Sequence, residues 1–346
     1  MSNKIPIALC GYSLPHAMGY LKTKSGEASQ TTLSPLGMME LVRTYDLEGI
    51  EIALSTVVPS FDGALIDTGI SAPNWRTLFE RYDLKIIADY GAILDNDSQH
   101  LKDALKVASD AGAKVMRAVL SHLLCGDRRR LEGGWLAHRE RLAQRLREVL
   151  PVAEDLGICL AVENHQDATS DDLLWLAEQV GYSSAFGVTL DTGNPLAVAE
   201  EPIAYTERIA PLVRHIHAKD YKVYRCEEGY SLVRCAAGTG AIPFREMFAV
   251  VAKNGYEVLP AIEMAAQATR TIPVQEADWW EHYPPQQKAY YEAVIPFLNK
   301  HALPADVPYS SLWESGAGSE EILTEEFEFV RQSVEYFASV LENDRG

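Results

Sequence analysis

The chain has 346 residues, 47% hydrophobic and 23% charged, and no apolar run near the roughly 20 residues that a membrane span needs. Its 49 acidic residues outnumber 31 basic ones, and the resulting net charge of −18 repels a phosphate backbone, which argues against a nucleic-acid partner. Five scattered cysteines (10, 125, 159, 226 and 235) without a C-x-x-C pair read as reduced thiols, and "MSNKIPIALCGYSL" has no signal-like apolar core; a cytoplasmic protein with no membrane partner is expected.

Short β-rich runs alternate with helical patterns along the chain. "IPIALCGYS" from 5, "GIEIALS" from 49, "LKIIADYG" from 84 and "AKVMRAVLS" from 113 are followed by "ICLAVENH" from 158, "FGVTLDTGN" from 186, "VRHIHAKDY" from 213 and "VLPAIEM" from 258. Between them Leu101, Ala104, Leu105, Ala108 and Ala111, and later Leu142, Leu146, Val149, Leu150 and Ala153, fall at helical spacing. Strands separated by helices pair in parallel through right-handed crossovers, and eight such units close into a barrel. The expected fold is therefore α/β, a single (β/α)8 TIM barrel domain over 1–346, with its core at about 5–265 and a C-terminal helical extension at 266–346 packed on it.

Residues 221–243 form a long excursion after the seventh strand, whose alternation predicts a small hairpin with glycines at 238 and 240 in the turns. The arginines of "CGDRRR", 128–130, read as a solvated loop. In the tail, Trp279 and Trp280 either anchor the extension or cover a pocket. Leu323, Phe327, Val330, Val334, Phe337 and Leu341 form an apolar stripe, read as packing on the barrel wall, with a homo-oligomer contact as the alternative.

In such a barrel the carboxyl ends of all strands face one mouth, where catalytic groups sit. Glu163, Asp191, His217 and Glu263 stand at or near the ends of the fifth to eighth strands, with His215 on the same strand face as His217. Three carboxylates gathered in a partly dry cavity repel one another unless a cation lies among them. Oxygen-rich ligation with one histidine favours Mn²⁺, with Mg²⁺, Co²⁺ or Zn²⁺ as alternatives. Lys219, Arg117, His122, Asn194, His165, Tyr12 and His16 are placed near the same rim by strand phase or loop position and are read as substrate contacts; Asp220 is read as holding a loop.

"VEN" with Glu163, "LDTGN" with Asp191, "HIHAKD" with His217, "GTGAIPF", and "AIEM" with Glu263 resemble, in order and spacing, the xylose-isomerase-like barrels, a group including sugar phosphate isomerases, ketose 3-epimerases and the endonuclease IV branch. The resemblance covers about residues 5–265. It implies that Glu163, Asp191, His217 and Glu263 bind the metal, and that Glu163 and Glu263 also act as acid and base on a ketose or oxo-sugar. It departs at Asn194, where many members carry histidine, and a few residues beyond His217, where Val223 and Tyr224 stand in place of the usual substrate arginine. The trinuclear zinc site of the endonuclease branch needs that histidine and a downstream D-x-H pair, also missing. The expected function is a metal-dependent sugar isomerase or epimerase; a metal-dependent decarboxylase or dehydratase of an oxo-sugar acid and a non-catalytic sugar-binding barrel are the alternatives.

Overall fold

The computed structural model describes residues 4–30, 32–55, 57–59, 65–67, 72–264, 268–304 and 306–343. The eight expected strands are present: β1 Ile5–Cys10, β2 Leu47–Ala53, β3 Lys85–Ala92, β4 Val115–Val119, β5 Cys159–Glu163, β6 Phe186–Asp191, β7 Val213–Ala218 and β8 Pro260–Ile262. Each pairs in parallel with its neighbours in the chain, and β8 pairs with β1 to close the barrel. A helix lies in every crossover. Ser98–Ala111 shows why: Asp97 caps its first turn, Leu101, Leu105, Ala108 and Ala111 are buried, and Gly112 ends it in the left-handed region at φ 99°. Among the described residues no helix is long and apolar enough to cross a membrane.

Strand alternation decides what fills the barrel. Parallel pairing sets Cys10 beside Glu51, Asp89 beside Arg117, Arg117 beside Ala161, and Asp191 beside His217, so these residues share the inward phase. Near the amino-terminal end that phase carries small or apolar groups; a Cβ on Gly49 would stand 2.7 Å from Leu259 Cδ2. Towards the carboxyl end it carries Glu51, Asp89, Arg117, Glu163, Asp191, His217 and Glu263. The outward phase is aliphatic, with Ile50, Ile52, Met116, Leu160, Val162, Val188 and Leu190 buried beneath the helices.

The expected hairpin forms from strands Asp220–Cys226 and Gly229–Cys235, and Arg270–Ile272 adds a third antiparallel strand. Asp220 closes the following glycine turn: its carboxylate accepts from the backbone N–H of Tyr221, Gly238, Gly240 and Ile242. A Cβ on Gly240 would fall 2.2 Å from Asp220 Oδ1, so the turn admits only glycine there.

Helix Ser319–Asn343 packs against β8, β1 and helix Phe244–Ala252, in the position of the barrel's eighth helix. Burial of Val330, Val334 and Phe337 contributes on the order of 1.5–3 kcal/mol for each side chain. These stripe residues are thus covered within the chain; the side chain of Leu341 lies outside the described residues. Trp279 is buried and donates to the Cys125 carbonyl, which anchors the tail, whereas Trp280 donates within the tail to the Val274 carbonyl.

The arginine run differs from the solvated loop expected of it. Arg128 is buried between the rings of Trp135 and Tyr283, 4.3 and 4.2 Å from their centroids, and pairs with Asp172 at 2.5 Å. Arg129 bridges Asp127, Glu276 and Asp278, leaving Arg130 as the exposed member. A planar cation that stacks on aromatic faces while its edge meets a carboxylate can be buried where a lysine could not.

Candidate functional site

At the barrel mouth, ligand atoms of Glu163, Asp191 and His217 lie within 4.8 Å of one another, all three residues buried. The imidazole is fixed from below. His217 Nε2 lies 2.8 Å from both carboxylate oxygens of Glu51, whose Oε2 also meets His215 Nε2 at 2.8 Å. His215 is held in turn by Nδ1 donating to the Leu259 carbonyl at 3.0 Å. His217 Nε2–H is donated to Glu51, and Nδ1 faces the carboxylates, buried without a hydrogen bond among the described residues and 3.5 Å from Glu163 Oε2. Burial opposes the imidazolium, but Glu51 and Glu163 raise its pKa to about 9, so Nδ1 carries a proton that a bound cation would displace. A histidine whose second nitrogen is held by a carboxylate is the usual form of a metal-bound imidazole.

Cations inside the chain manage the acids. Arg117 places Nε 2.5 Å from Glu163 Oε2 and Nη1 2.8 Å from Asp89 Oδ1. Burial opposes ionisation of Glu163, yet Arg117 and His217 beside it hold its pKa down at about 2. Lys219 lies between Asp191 and Glu263, 2.5 Å from Asp191 Oδ2 and ion-paired with Glu263 Oε2. Glu263, resisted by burial, is likewise lowered by Lys219 and Arg234. Asp191 is raised to about 6 because burial, with Glu163 and Glu263 nearby, outweighs Lys219. Its Oδ1 accepts from the N–H of Gly193 and Asn194, which fixes the strand-end turn, and its own N–H donates to Asn164 Oδ1 at 2.6 Å.

The remaining sequence candidates divide. Asn194 donates to Glu163 Oε1 at 3.4 Å and therefore belongs to the cluster. His165 is neutral: burial pushes its pKa down to about 3, and its Nδ1 is buried without a hydrogen bond among the described residues, within electrostatic reach of Glu163, Lys219 and Glu263. Tyr12 stands close enough to Asp89 and Arg117 to feel both charges. His122 and His16 lie elsewhere. His122 is on the surface, 2.9 Å from Asp95, its side chain pointing outward between the buried Ser121 and Leu123. His16 is buried in the loop after β1, where Nδ1 meets the Leu21 carbonyl and Nε2 meets Ser319 Oγ, both at 2.7 Å; it ties that loop to the last helix.

Glu51 and Asp89, which contact His217 and Arg117, belong to this cluster, and reading strand ends alone misses them. The signal was a single acid in the middle of an apolar run, in the inward phase of the strand. Cys10, Glu51 and His217 also converge within 4.8 Å. This lower triplet is a poorer ligand set, because burial and then Glu51 raise the Cys10 thiol well above its ordinary value and His217 Nε2 is engaged by Glu51. The upper donors, carboxylate oxygens with one imidazole nitrogen, fit a hard or borderline divalent cation.

Residues 39–337 match the family model of the xylose isomerase-like TIM barrel, and the chain belongs to that family. Among curated relatives, the 3-oxo-isoapionate decarboxylase of Pectobacterium atrosepticum is 29% identical over 143 residues, 40% of this chain and 51% of that protein; the match spans about half the relative's length. The solved structure of an L-ribulose 3-epimerase aligns over 98% of both chains with a TM-score of 0.55 and 14% identity. A xylose isomerase-like barrel from Mycobacterium smegmatis in complex with magnesium aligns over 86% of this chain and 99% of its own, with a TM-score of 0.54 and 18% identity. At those identities the structural likeness speaks for the fold.

Proposed function

We propose that the protein is a divalent-metal-dependent isomerase or epimerase that moves a proton on the carbon next to the carbonyl of a ketose or oxo-sugar. The observation that carries this reading is the buried His217 Nδ1, steered by Glu51 towards the carboxylates of Glu163 and Asp191. Glu163, Asp191, His217 and Glu263 are the residues that would hold the cation, with Mn²⁺ first and Mg²⁺, Co²⁺ or Zn²⁺ as alternatives. When bound it supplies polarisation of the carbonyl and of a neighbouring hydroxyl, which acidifies the C–H between them.

The side chains account for the proton's path. Glu163 on β5 and Glu263 after β8 are separated by two intervening strands, and each is kept as a carboxylate by its own cation, Arg117 or Lys219. One takes the proton at a carboxylate oxygen and the other returns one. Neutral His165 offers Nδ1 to a substrate hydroxyl, and Tyr12 and Asn194 border the same space. Burial of the cluster keeps water from competing for the proton.

A second reading, decarboxylation of an oxo-sugar acid, is favoured by the likeness to the Pectobacterium decarboxylase. Incubating Mn²⁺-loaded protein with ketoses and oxo-sugar acids in deuterated water, followed by NMR and CO₂ trapping, separates the two. The proposal expects deuterium at the carbon next to the carbonyl, lost in Glu163→Gln and Glu263→Gln. Release of CO₂ without such exchange in substrate selects the second reading. Exchange retained in both variants removes both glutamates from the mechanism, and tight sugar binding without any turnover selects a non-catalytic barrel.

A further inference from the structure

The three-stranded sheet built from 220–226, 229–235 and 270–272 presents one face to the barrel mouth, and that face carries two arginines. Arg234 pairs in register with Tyr221, and Leu232 with both Val223 and Arg270; directly opposed residues share a face, as do residues two apart along a strand. Tyr221, Val223 and Leu232 on this face are buried. The Tyr221 ring lies over the turn after β6, where a Cβ on Gly193 would meet it at 2.5 Å, and its hydroxyl reaches Asn194 Oδ1 at 3.5 Å. The face is thereby joined to the residues that carry Asp191 and Glu163.

We propose that Arg234 and Arg270 form a subsite for a substrate carboxylate, so that the compound acted on is an oxo-sugar acid. This rests on reading the barrel mouth as the catalytic site and adds a substrate class to it. Two guanidinium groups side by side in a partly dry setting repel each other, and an anion held between them offsets that cost. Arg234 lies by the Tyr221 hydroxyl and within electrostatic reach of Glu263 and Asp191. Arg270 makes no ion pair among the described residues, and its Nε is buried without a hydrogen-bond partner there. Glu314, a carboxylate near it, already accepts from Thr269 N–H, Thr269 Oγ1 and Ser311 N–H. Burial, followed by the neighbouring Arg234, lowers the pKa of Arg270, as expected of a cation that its surroundings do not neutralise. Planar guanidinium forks match the two oxygens of a carboxylate. Arg117 and Lys219, the other cations at the mouth, are held by Asp89, Glu163, Asp191 and Glu263, which leaves Arg270, with Arg234 beside it, to receive the substrate's charge.

The test is calorimetric titration of the full chain with D-gluconate, D-sorbitol and D-sorbitol 6-phosphate, probes that differ in the group at a chain end. Each is run on Mn²⁺-loaded and on EDTA-treated protein. Gluconate should bind about 10- to 100-fold more tightly than sorbitol, the range of a charge-assisted pair. Arg270→Gln and Arg234→Gln should erase that preference with sorbitol binding unchanged, and Arg270→Lys should retain part of it. Equal affinity for gluconate and sorbitol, no gluconate binding, or a preference that survives both glutamine variants overturns the subsite; stronger binding of the phosphate ester overturns the carboxylate assignment. The ratio after EDTA treatment reads the arginines alone, whereas failure to bind Mn²⁺ counts against the proposed function and leaves that ratio to stand or fall separately.

Discussion

Glu51 offers the sharpest check on the reading of the barrel mouth, because it would touch neither substrate nor metal and yet sets the direction of His217. In Glu51→Gln the shape is kept but one acceptor oxygen becomes an amide N–H₂, which cannot accept from His215 and His217 together. Both imidazoles now approach the same carboxylate at 2.8 Å, so the change removes about one charge-assisted hydrogen bond, worth roughly 1.5–3 kcal/mol. If that bond orients Nδ1 towards Glu163 and Asp191, the loss appears as metal affinity weakened about 10- to 100-fold, the usual cost of losing the carboxylate behind a ligand histidine. Calorimetric titration with Mn²⁺ at fixed pH and ionic strength measures it, with thermal unfolding of the apo protein as the control for folding. A folded Glu51→Gln protein whose Mn²⁺ affinity stays within twofold of the parent refutes the steering argument.

Three further outcomes follow from packing and charge. Arg128→Met, which removes the cation between Trp135 and Tyr283 and its pair with Asp172, should cost about 3 kcal/mol in urea unfolding, since Arg139 at 3.1 Å still holds Asp172; a loss under 1 kcal/mol contradicts this. Gly240→Ala should cost about 2–3 kcal/mol, because the new Cβ drives Asp220 out of its ring of backbone N–H donors; an unchanged urea midpoint rejects that role. Burial raises Glu326 to about 8 against the hydrogen bonds it accepts from the His16 and Ala17 N–H groups. The folded pKa lies above the unfolded value of about 4.3, so its contribution is full below pH 4.3 and is lost as pH rises towards 8, by up to about 1.4 kcal/mol per pH unit. Glu326→Gln should accordingly flatten the fall of stability between pH 5 and 8, and an unaltered slope in urea titrations rules the linkage out.

What the sequence discloses depends on whether a feature is set along one strand or between distant segments. The barrel was legible because each of its strands is a short β-rich run and each crossover contains a helix. Glu163, Asp191 and His217 could be grouped because each stands in the inward phase near the end of its strand. Glu51 and Asp89 obey the same phase but sit within apolar runs, where an acid looks like an isolated exception until a partner is known; for Glu51 the partners are histidines on β7, fixed only when the barrel closes. His122 shows the converse limit. It follows β4 as closely as a rim residue should, but its ring points outward between the buried Ser121 and Leu123 and rests against Asp95.

Arg234 and Arg270 lie beyond what periodicity can reveal, since their common face arises from the pairing of Leu232 with Arg270 across an inserted sheet. On the proposed subsite, the substrate arginine whose place Val223 and Tyr224 take has its counterpart on the other strands of that sheet. The strand carrying those residues puts Tyr221 and Val223 on the face towards the mouth; Arg225, in the same phase at the strand's far end, is exposed and bound to Asn299 at 2.6 Å, while Arg234 and Arg270 come from the two strands beyond it. A cation can thus be supplied to the mouth of the same barrel from a different segment. Because its position relative to the strand-end acids decides which end of a substrate is held, the sheet insertion, more than the barrel ligands, is where selectivity among oxo-sugars would be set.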